Sequence, residues 1–145
     1  MASRARRTSI VPSEQTGQQF KVIISKYDAH RDLAILRHDI AAIEFYELEA
    51  SARGLKAGDN VVAIGYPAFG PGDKFNVRHG TVTSLPVKSA VQMIEVTQKL
   101  SQGMSGGPVI DADDAVVGII HQGGPTEGRD FAIYVSALMS WLRKS

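Results

Sequence analysis

The sequence of 145 residues contains no cysteine. This absence excludes disulfide bridges, a cysteine nucleophile and thiolate-bound metal. The sequence also has no apolar run long enough to cross a membrane as a helix, and no spacing of His, Asp and Glu that resembles a zinc or calcium site. We therefore expect a chain without a membrane span, a metal or another cofactor.

The sequence has almost no excess of either charge, because its 16 basic residues nearly balance its 15 acidic residues and the net charge is +1. No basic block is interleaved with aromatic residues, so we expect no nucleic-acid partner. The basic cluster Arg4, Arg6 and Arg7 is predicted to be a solvated chain end. No apolar core follows it, so the sequence as written has no secretory signal. The location of the protein stays open, and only for the sequence as written does this absence, with the lack of cysteine, indicate the cytoplasm.

Short β-prone segments separated by turn residues run through most of the chain. This pattern is typical of an all-β barrel or sandwich. One segment contains Gly80, which predicts a bulge or bend there. Ser136 is predicted to cap a closing helix that runs to Leu142. The predicted strands cover residues 8–12, 18–25, 32–36, 61–67, 74–85, 91–97, 109–110, 115–121 and 131–135.

The most informative stretch is the glycine-rich run Gly103–Pro108, which reads G-M-S-G-G-P. Glycine accepts backbone angles that other residues avoid, so a serine among glycines can sit on a tight, exposed turn. Such a turn lifts the Ser105 hydroxyl clear of its neighbours and lets the N–H groups of Gly103 and Ser105 converge. Two converging N–H groups are what an oxyanion hole requires. The alternative is a glycine-rich β-turn with an incidental serine.

This run resembles the nucleophile signature of chymotrypsin-fold serine proteases. The stretch Asp28–Leu36 is similar to the D-x-x-x-D-L-A-x-L stretch of HtrA/Deg-type bacterial proteases. The resemblance implies that Asp32 orients the catalytic histidine and that Leu33–Leu36 forms a buried strand. Residues 62–67 and 80–84 also resemble the family's interdomain entry and second-barrel hairpin, so the likeness extends over roughly residues 18–142.

The implied fold is an all-β, chymotrypsin-like double β-barrel with an incomplete first barrel and a short C-terminal helix. Residues 1–40 would form the partial N-terminal barrel, residues 41–59 a connector, and residues 60–145 the C-terminal barrel with the closing helix. The implied chemistry is hydrolysis of peptide bonds in a polypeptide substrate, with Ser105 as nucleophile and Asp32 as orienting acid. Trypsin-like zymogen activation is not expected, because Met104 stands where many relatives carry an acid.

The resemblance also implies a set of substrate-binding residues. The strand edge before Gly124 would pair with substrate backbone and line the specificity pocket, with Lys99 near the pocket base. A basic or imidazole side chain there would favour acidic or amide side chains of the substrate. The alternative is that His121 is a packed barrel residue and Lys99 is solvated. The implied substrate-binding residues are Lys99, His121, Gln122 and Gly123.

The family's catalytic histidine is the missing part of this pattern. It belongs several strands before Asp32 in a T-x-x-H-V motif, whereas the one histidine that precedes Asp32 here is His30, two residues away. The sequence is therefore expected to begin just after the base and to have little peptidase activity, because loss of the base removes most of the rate enhancement.

Three explanations stay open at this point. The sequence is a fragment or a mis-started reading frame of an active protease. Alternatively, it is a short protein whose missing strands and histidine come from a partner chain or a second copy. Or it is a pseudo-protease that binds extended peptides by strand addition. Unpaired strand edges in a partial barrel further predict marginal stability or dimerisation of the isolated chain.

Overall fold

Ten β-strands and one α-helix form in the computed structural model, which describes residues 7–10, 20–39, 48, 54–67, 74–121 and 129–144. The chain divides into two compact units, Met1–Phe45 and Tyr46–Ser145. The first contains β1 (Arg7–Ile10), β2 (Phe20–Asp28) and β3 (Leu33–Arg37). The second contains β4 (Asn60–Gly65), β5 (Asn76–Ser84), β6 (Val87–Lys88), β7 (Val91–Val96), β8 (Pro108–Asp111), β9 (Val116–Ile120), β10 (Asp130–Tyr134) and α1 (Val135–Arg143).

The first unit holds a three-stranded antiparallel sheet in the order β1-β2-β3. The side chain of Val22 is buried, whereas Leu33 and Ile35 are half-buried and Ala34 and Leu36 are exposed. The expectation that Leu33–Leu36 is a buried strand is therefore wrong for this structure. The reason is that the described residues of this unit form one sheet layer, which leaves β3 in contact with solvent.

The second unit is a closed antiparallel barrel of six strands. The hydrogen-bonded order is β10-β9-β8-β4-β5-β7, and pairing of β10 with β7 closes the ring. The short strand β6 extends this sheet beyond β7. Alternate side chains of the barrel strands point inward, as period-2 patterning requires. The most deeply buried of these core side chains are Val61, Ala63, Val82, Ile94, Val109, Val117 and Ala132.

The all-β prediction is confirmed, and the predicted strands match the observed ones with shifts of a few residues at their ends. Strand β6 was not predicted, because two residues are too short a signal. The closing helix is also confirmed, but its N-cap is Tyr134 without a side-chain capping bond, so the predicted cap by Ser136 is wrong. Ser136 lies inside the helix, which begins two residues earlier than a cap at Ser136 implies, since Val135 is buried at the barrel end.

The predicted bulge at Gly80 is wrong as well. Strand β5 keeps an unbroken register with β4 through Gly80, and its irregularity against β7 lies between Val82 and Ser84. The glycine has a different cause, because a Cβ atom there would overlap the side-chain amide of Gln98. Gln98 is itself buried and donates to the carbonyl oxygen of Val61. Gly80 is thus a close-approach position rather than a bend.

Candidate active site

The turn Gly103–Gly106 has the backbone shape that its glycines allow. Gly103 and Gly106 have φ angles of +95° and +90°, in the region that glycine enters without strain. Between them, Met104 is buried in the barrel core with 1% of its surface exposed, and Ser105 is exposed. The turn therefore anchors one side chain in the core and presents the next one, a hydroxyl, to solvent.

The hydrogen bonds of this turn divide its N–H groups into two sets. Met104 donates to Ser101 O at 3.0 Å, Gly107 to Met104 O at 3.0 Å, and Gly106 to Ile120 O at 2.9 Å. In the part of the chain that the structure describes, the N–H groups of Gly103 and Ser105 donate no hydrogen bond. These two N–H groups are therefore available to donate to an acceptor atom of a bound molecule, whereas the other N–H groups of the turn already have acceptors.

Strand β4 packs directly against the turn, and two glycines, one on the strand and one at the end of the turn, make this close contact possible. A Cβ atom at Gly65 would lie 3.0 Å from the Cα and Cβ atoms of Met104. A Cβ atom at Gly107 would overlap the carbonyl oxygen of Ile64. The backbone of β4 and the backbone of the turn are therefore packed directly on one another. The turn is also tied to β9, because Ile120 N–H donates to Gly107 O at 2.8 Å.

The residues just before the turn are held by side chains from neighbouring strands. Arg78 on β5 donates to Lys99 O at 2.7 Å and to Ser101 Oγ at 2.9 Å. Asp130 on β10 accepts the N–H of Leu100 at 2.9 Å. Sequence reasoning missed both charged side chains, because each acts over more than 20 residues of chain and neither belongs to a local motif.

Two of the predicted substrate-binding residues are described, and both lie in the same unit as Ser105. The side chain of Lys99 is exposed, and its carbonyl oxygen is the one that Arg78 binds. His121 is half-buried after the end of β9 and donates its N–H to Phe131 O at 3.0 Å. The other two predicted positions, Gln122 and Gly123, lie outside the described residues.

Asp32 lies in the first unit, in the turn between β2 and β3. It is exposed and has a φ angle of +56°, a left-handed conformation that Asp tolerates better than most residues. The same turn contains a contact that the sequence did not predict. The carboxylate of Asp28 accepts the N–H of Arg31 at 3.0 Å and its guanidinium at 2.7 Å, and these bonds lower the pKa of Asp28. The structure thus groups Gly103, Ser105, Lys99 and His121 in one unit and places Asp32 in the other.

No helix in the described ranges is both long and apolar enough to cross a membrane. Among those same residues, no group of three or more His, Asp and Glu side chains is arranged to hold a metal ion. The features that the site does offer are an exposed hydroxyl, two N–H donors beside it and a rigid backbone underneath. These are the elements of acyl-transfer chemistry.

A family profile described as the trypsin-like peptidase domain matches residues 3–119 of the chain. The chain therefore belongs to the trypsin-like peptidase domain family, and it is similar to DegP-like serine endoproteases and to an HtrA-type protease of known structure. The probable periplasmic serine endoprotease DegP-like of Hahella chejuensis is 33% identical over 120 residues, which are 77% of this chain and 25% of that protein. The anti-sigma-I factor RsgI9 of Acetivibrio thermocellus is 30% identical over 122 residues, which are 83% of this chain and 17% of that protein.

Solved structures give the same fold. A serine endoprotease from Yersinia pestis superposes with a TM-score of 0.74 at 24% identity, covering 90% of this chain and 46% of that one. The HtrA-type protease AlgW with decapeptide superposes with a TM-score of 0.74 at 25% identity, covering 88% of this chain and 41% of that one. The chain thus spans less than half of these structures and about a quarter of the DegP-like relatives.

Proposed function

We propose that this chain carries the nucleophile half of a serine endopeptidase site and that its general base is not among the residues of the printed sequence. Ser105 is the nucleophile, and the N–H groups of Gly103 and Ser105 form the oxyanion hole. The observation that carries the proposal is the turn itself. Ser105 is exposed between two left-handed glycines, and both proposed oxyanion donors are without a partner in the described residues.

The proposed reaction is acyl transfer to Ser105. The hydroxyl oxygen attacks the carbonyl carbon of a peptide bond, a base takes the hydroxyl proton, and the carbonyl oxygen becomes an oxyanion in the hole. The tetrahedral intermediate then collapses with loss of the amine, which takes the proton from the base, and water hydrolyses the acyl group. Asp32 is proposed to orient the imidazole base and to stabilise its charged form.

The base must be a histidine that can reach the Ser105 hydroxyl, and the four histidines of the sequence do not suit this role. His30 lies two residues from Asp32 in the same turn region, which is too close along the chain for the family arrangement. His38 follows β3, and His79 is an exposed residue of β5. His121 is proposed to line the substrate pocket. We therefore expect at most slow peptidase activity from this chain alone.

The proposed substrate is a polypeptide in extended conformation. Its backbone would pair with the edge that continues from β9 through His121, Gln122 and Gly123. Lys99 and His121 would then favour an acidic or amide side chain beside the scissile bond.

The domain boundaries that we propose are residues 1–40 for the partial first barrel, 41–59 for the connector and 60–145 for the second barrel.

Casein hydrolysis by the purified chain and by Ser105→Ala tests this account. The two proteins should release peptides at equal, background rates, because the base is missing from both. Cleavage by the chain that Ser105→Ala abolishes would contradict the missing base while supporting the nucleophile. Cleavage by both proteins would point to a contaminating protease, which a further purification step and a repeat of the assay would reveal.

A second candidate function is a pseudo-protease that binds extended peptides by strand addition. One observation favours it, since a relative 30% identical over 122 residues is named as an anti-sigma factor rather than as a protease. In this case the edge after β9 binds peptide and Ser105 is dispensable. Ser105→Ala should then retain peptide affinity in a titration, whereas Ile120→Pro, which removes the N–H that binds Gly107, should lose it.

We also propose that the first sheet associates with a second copy or with a partner that completes the barrel. The sheet has three strands, and Ile23, Tyr27 and Leu36 on it are exposed apolar side chains. Three strands are the smallest number that gives a sheet independent stability, so we expect this sheet to be close to that limit. Sedimentation of the isolated chain should show a concentration-dependent increase in mass, whereas a monomer with a sharp, concentration-independent thermal transition would contradict this.

A further inference from the structure

The peptide unit between Lys99 and Leu100 is held on both of its polar atoms by side chains of opposite charge. Its carbonyl oxygen accepts from Arg78 Nη1 at 2.7 Å, and its N–H donates to Asp130 Oδ1 at 2.9 Å. We propose that Arg78 and Asp130 are positioning residues that fix this peptide plane and, through it, the turn that carries the candidate nucleophile. The inference rests on the proposed function of that turn.

The segment between β7 and β8 needs such support because it lies outside the barrel's strand ladder. Strand β7 ends at Val96 and β8 begins at Pro108, and the N–H of Thr97, which donates to Thr81 O at 2.9 Å, continues the pairing with β5 by one residue. Backbone polar groups that are shielded from water and outside a ladder require other partners. Leu100 is buried, so its N–H has such a requirement, and the carboxylate of Asp130 meets it.

Arg78 is well placed to act as a rigid donor. Its guanidinium nitrogen Nη1 binds two acceptors at once, the Lys99 carbonyl oxygen at 2.7 Å and Ser101 Oγ at 2.9 Å. Its own carbonyl oxygen accepts from the amide of Gln98 at 3.1 Å, and that amide is also bound to Val61 O at 3.3 Å. The segment is thus attached to β5 and β4 at residues 98, 99 and 101.

Asp130 holds the same segment from β10. It pairs with Val96 in the barrel register, so its backbone is fixed at the first residue of its strand. The preceding residue, Arg129, is fixed as well by two bonds to Glu95, at 2.6 and 3.2 Å. A charged acceptor makes a stronger hydrogen bond than a neutral one. Rotation of the Lys99–Leu100 peptide would break the bond to Asp130 and the bond to Arg78 together.

The fixed peptide is linked directly to the nucleophile turn. Ser101, whose hydroxyl binds Arg78, accepts the N–H of Met104 through its carbonyl oxygen at 3.0 Å. Met104 in turn precedes Ser105 and is buried in the core. A displacement of residues 99–101 therefore reaches the N–H groups of the turn through one hydrogen bond. Small displacements of such groups matter, because an oxyanion hole works only at hydrogen-bond distance.

Amide hydrogen exchange of the full, ¹⁵N-labelled chain tests the proposal without requiring activity. Asp130→Ala and Arg78→Met each remove one of the two side chains that bind the Lys99–Leu100 peptide. Asp130→Asn keeps an oxygen that can accept from Leu100 and is the rescue variant. Loss of a hydrogen bond to a charged group should speed exchange of the Leu100 amide by about 10- to 100-fold in Asp130→Ala. Asp59→Ala is the control, since it removes a carboxylate that accepts a backbone N–H, that of Lys56 at 2.9 Å, and that touches neither Lys99 nor Ser101.

The expected result is that Asp130→Ala and Arg78→Met shift the amide resonances of Gly103 and Ser105, while Asp130→Asn and the control Asp59→Ala leave them near their original positions. Unchanged exchange at Leu100 in Asp130→Ala would overturn the proposal. Unchanged resonances of Gly103 and Ser105 would also overturn it. So would an equal acceleration of amide exchange across the whole barrel, including Ala63, because that pattern indicates a loss of overall stability and not of a local constraint. These readouts do not depend on a reactive serine, so the proposed function can fail separately.

Discussion

Gly107 and Ile64 lie so close together that a Cβ atom on the glycine would overlap the carbonyl oxygen of the isoleucine. Both atoms in this contact belong to the backbone or are rigidly attached to it. The turn that presents Ser105 is therefore set on β4 with no room for a side chain between them. The second glycine of the G-G pair in the signature has a steric reason, separate from the φ angle of +90° that Gly106 requires.

Gly107→Ala should destabilise the second unit by about 1–3 kcal/mol, because overpacking against backbone forces the turn or the strand to move. The midpoint and slope of urea unfolding would measure the change. Gly54→Ala is the matched control, since Gly54 has no atom within 4 Å of a built Cβ and no positive φ angle. It should be neutral or stabilising by about 0.4–1 kcal/mol. Equal midpoints for the two variants would contradict the packing argument.

Gly80→Ala should lower stability through its neighbour Gln98. The new methyl group would displace the buried amide of Gln98, which donates to Val61 O at 3.3 Å and Arg78 O at 3.1 Å. A double-mutant cycle with Gln98→Ala measures this coupling. The cost of Gly80→Ala should be smaller in the Gln98→Ala background by about 0.5–3 kcal/mol. Additive effects of the two substitutions would show that the side chain does not occupy this position.

Glu95 should make the second unit less stable in acid. Its carboxylate accepts from Arg129 and Ser84, with Lys88 nearby, and the bond from Arg129 is the main cause of a pKa below the ordinary value of 4.5. A carboxyl group with a lowered pKa stabilises the folded state above its unfolded pKa, and this contribution is lost as pH falls through the folded pKa.

Thermal unfolding of the chain and of Glu95→Gln at neutral pH and at pH values below 4.5 checks the sign of this effect. The original chain should be the more stable at neutral pH, and the difference should shrink on acidification because Glu95 becomes neutral in both states. A difference that is the same at both pH values would show that Glu95 contributes by packing alone.

Asp32 should tolerate substitution according to its left-handed backbone. Asp32→Asn should leave the stability of the first sheet nearly unchanged, because Asn also enters this region readily. Asp32→Val should cost about 1–2 kcal/mol, because its Cβ is crowded at a φ angle of +56°. Chemical shifts of residues in β2 and β3 would report the change. A stable valine variant would contradict the conformation described for Asp32.

The sequence predicted the barrel well because its strands are marked by local alternation and by glycine and proline at their ends. It also predicted the tight turn that exposes Ser105, because a turn with two left-handed glycines leaves a short, recognisable pattern. It did not predict the contacts of Arg78, Gln98 and Asp130. These depend on which strands become neighbours when the barrel closes, and no local pattern records that.

The wrong predictions for single residues have the same origin. Gly80 carries the sequence signal of a bend, but its role is set by Gln98, which is distant in sequence. Ser136 has the right chemistry for a cap, but burial of Val135 moves the helix start before it. The exposure of Leu36 was unpredictable, since an apolar strand signals burial without saying what covers it.

The most direct test of the account is labelling with a fluorophosphonate probe, read by intact mass, with and without added imidazole. Free imidazole can stand in for a missing histidine as general base. The account predicts no adduct on the folded chain alone, an adduct at Ser105 when imidazole is present, and none on Ser105→Ala in either case. Stoichiometric labelling of Ser105 without imidazole would contradict the missing base, and no labelling under either condition would contradict Ser105 as the nucleophile.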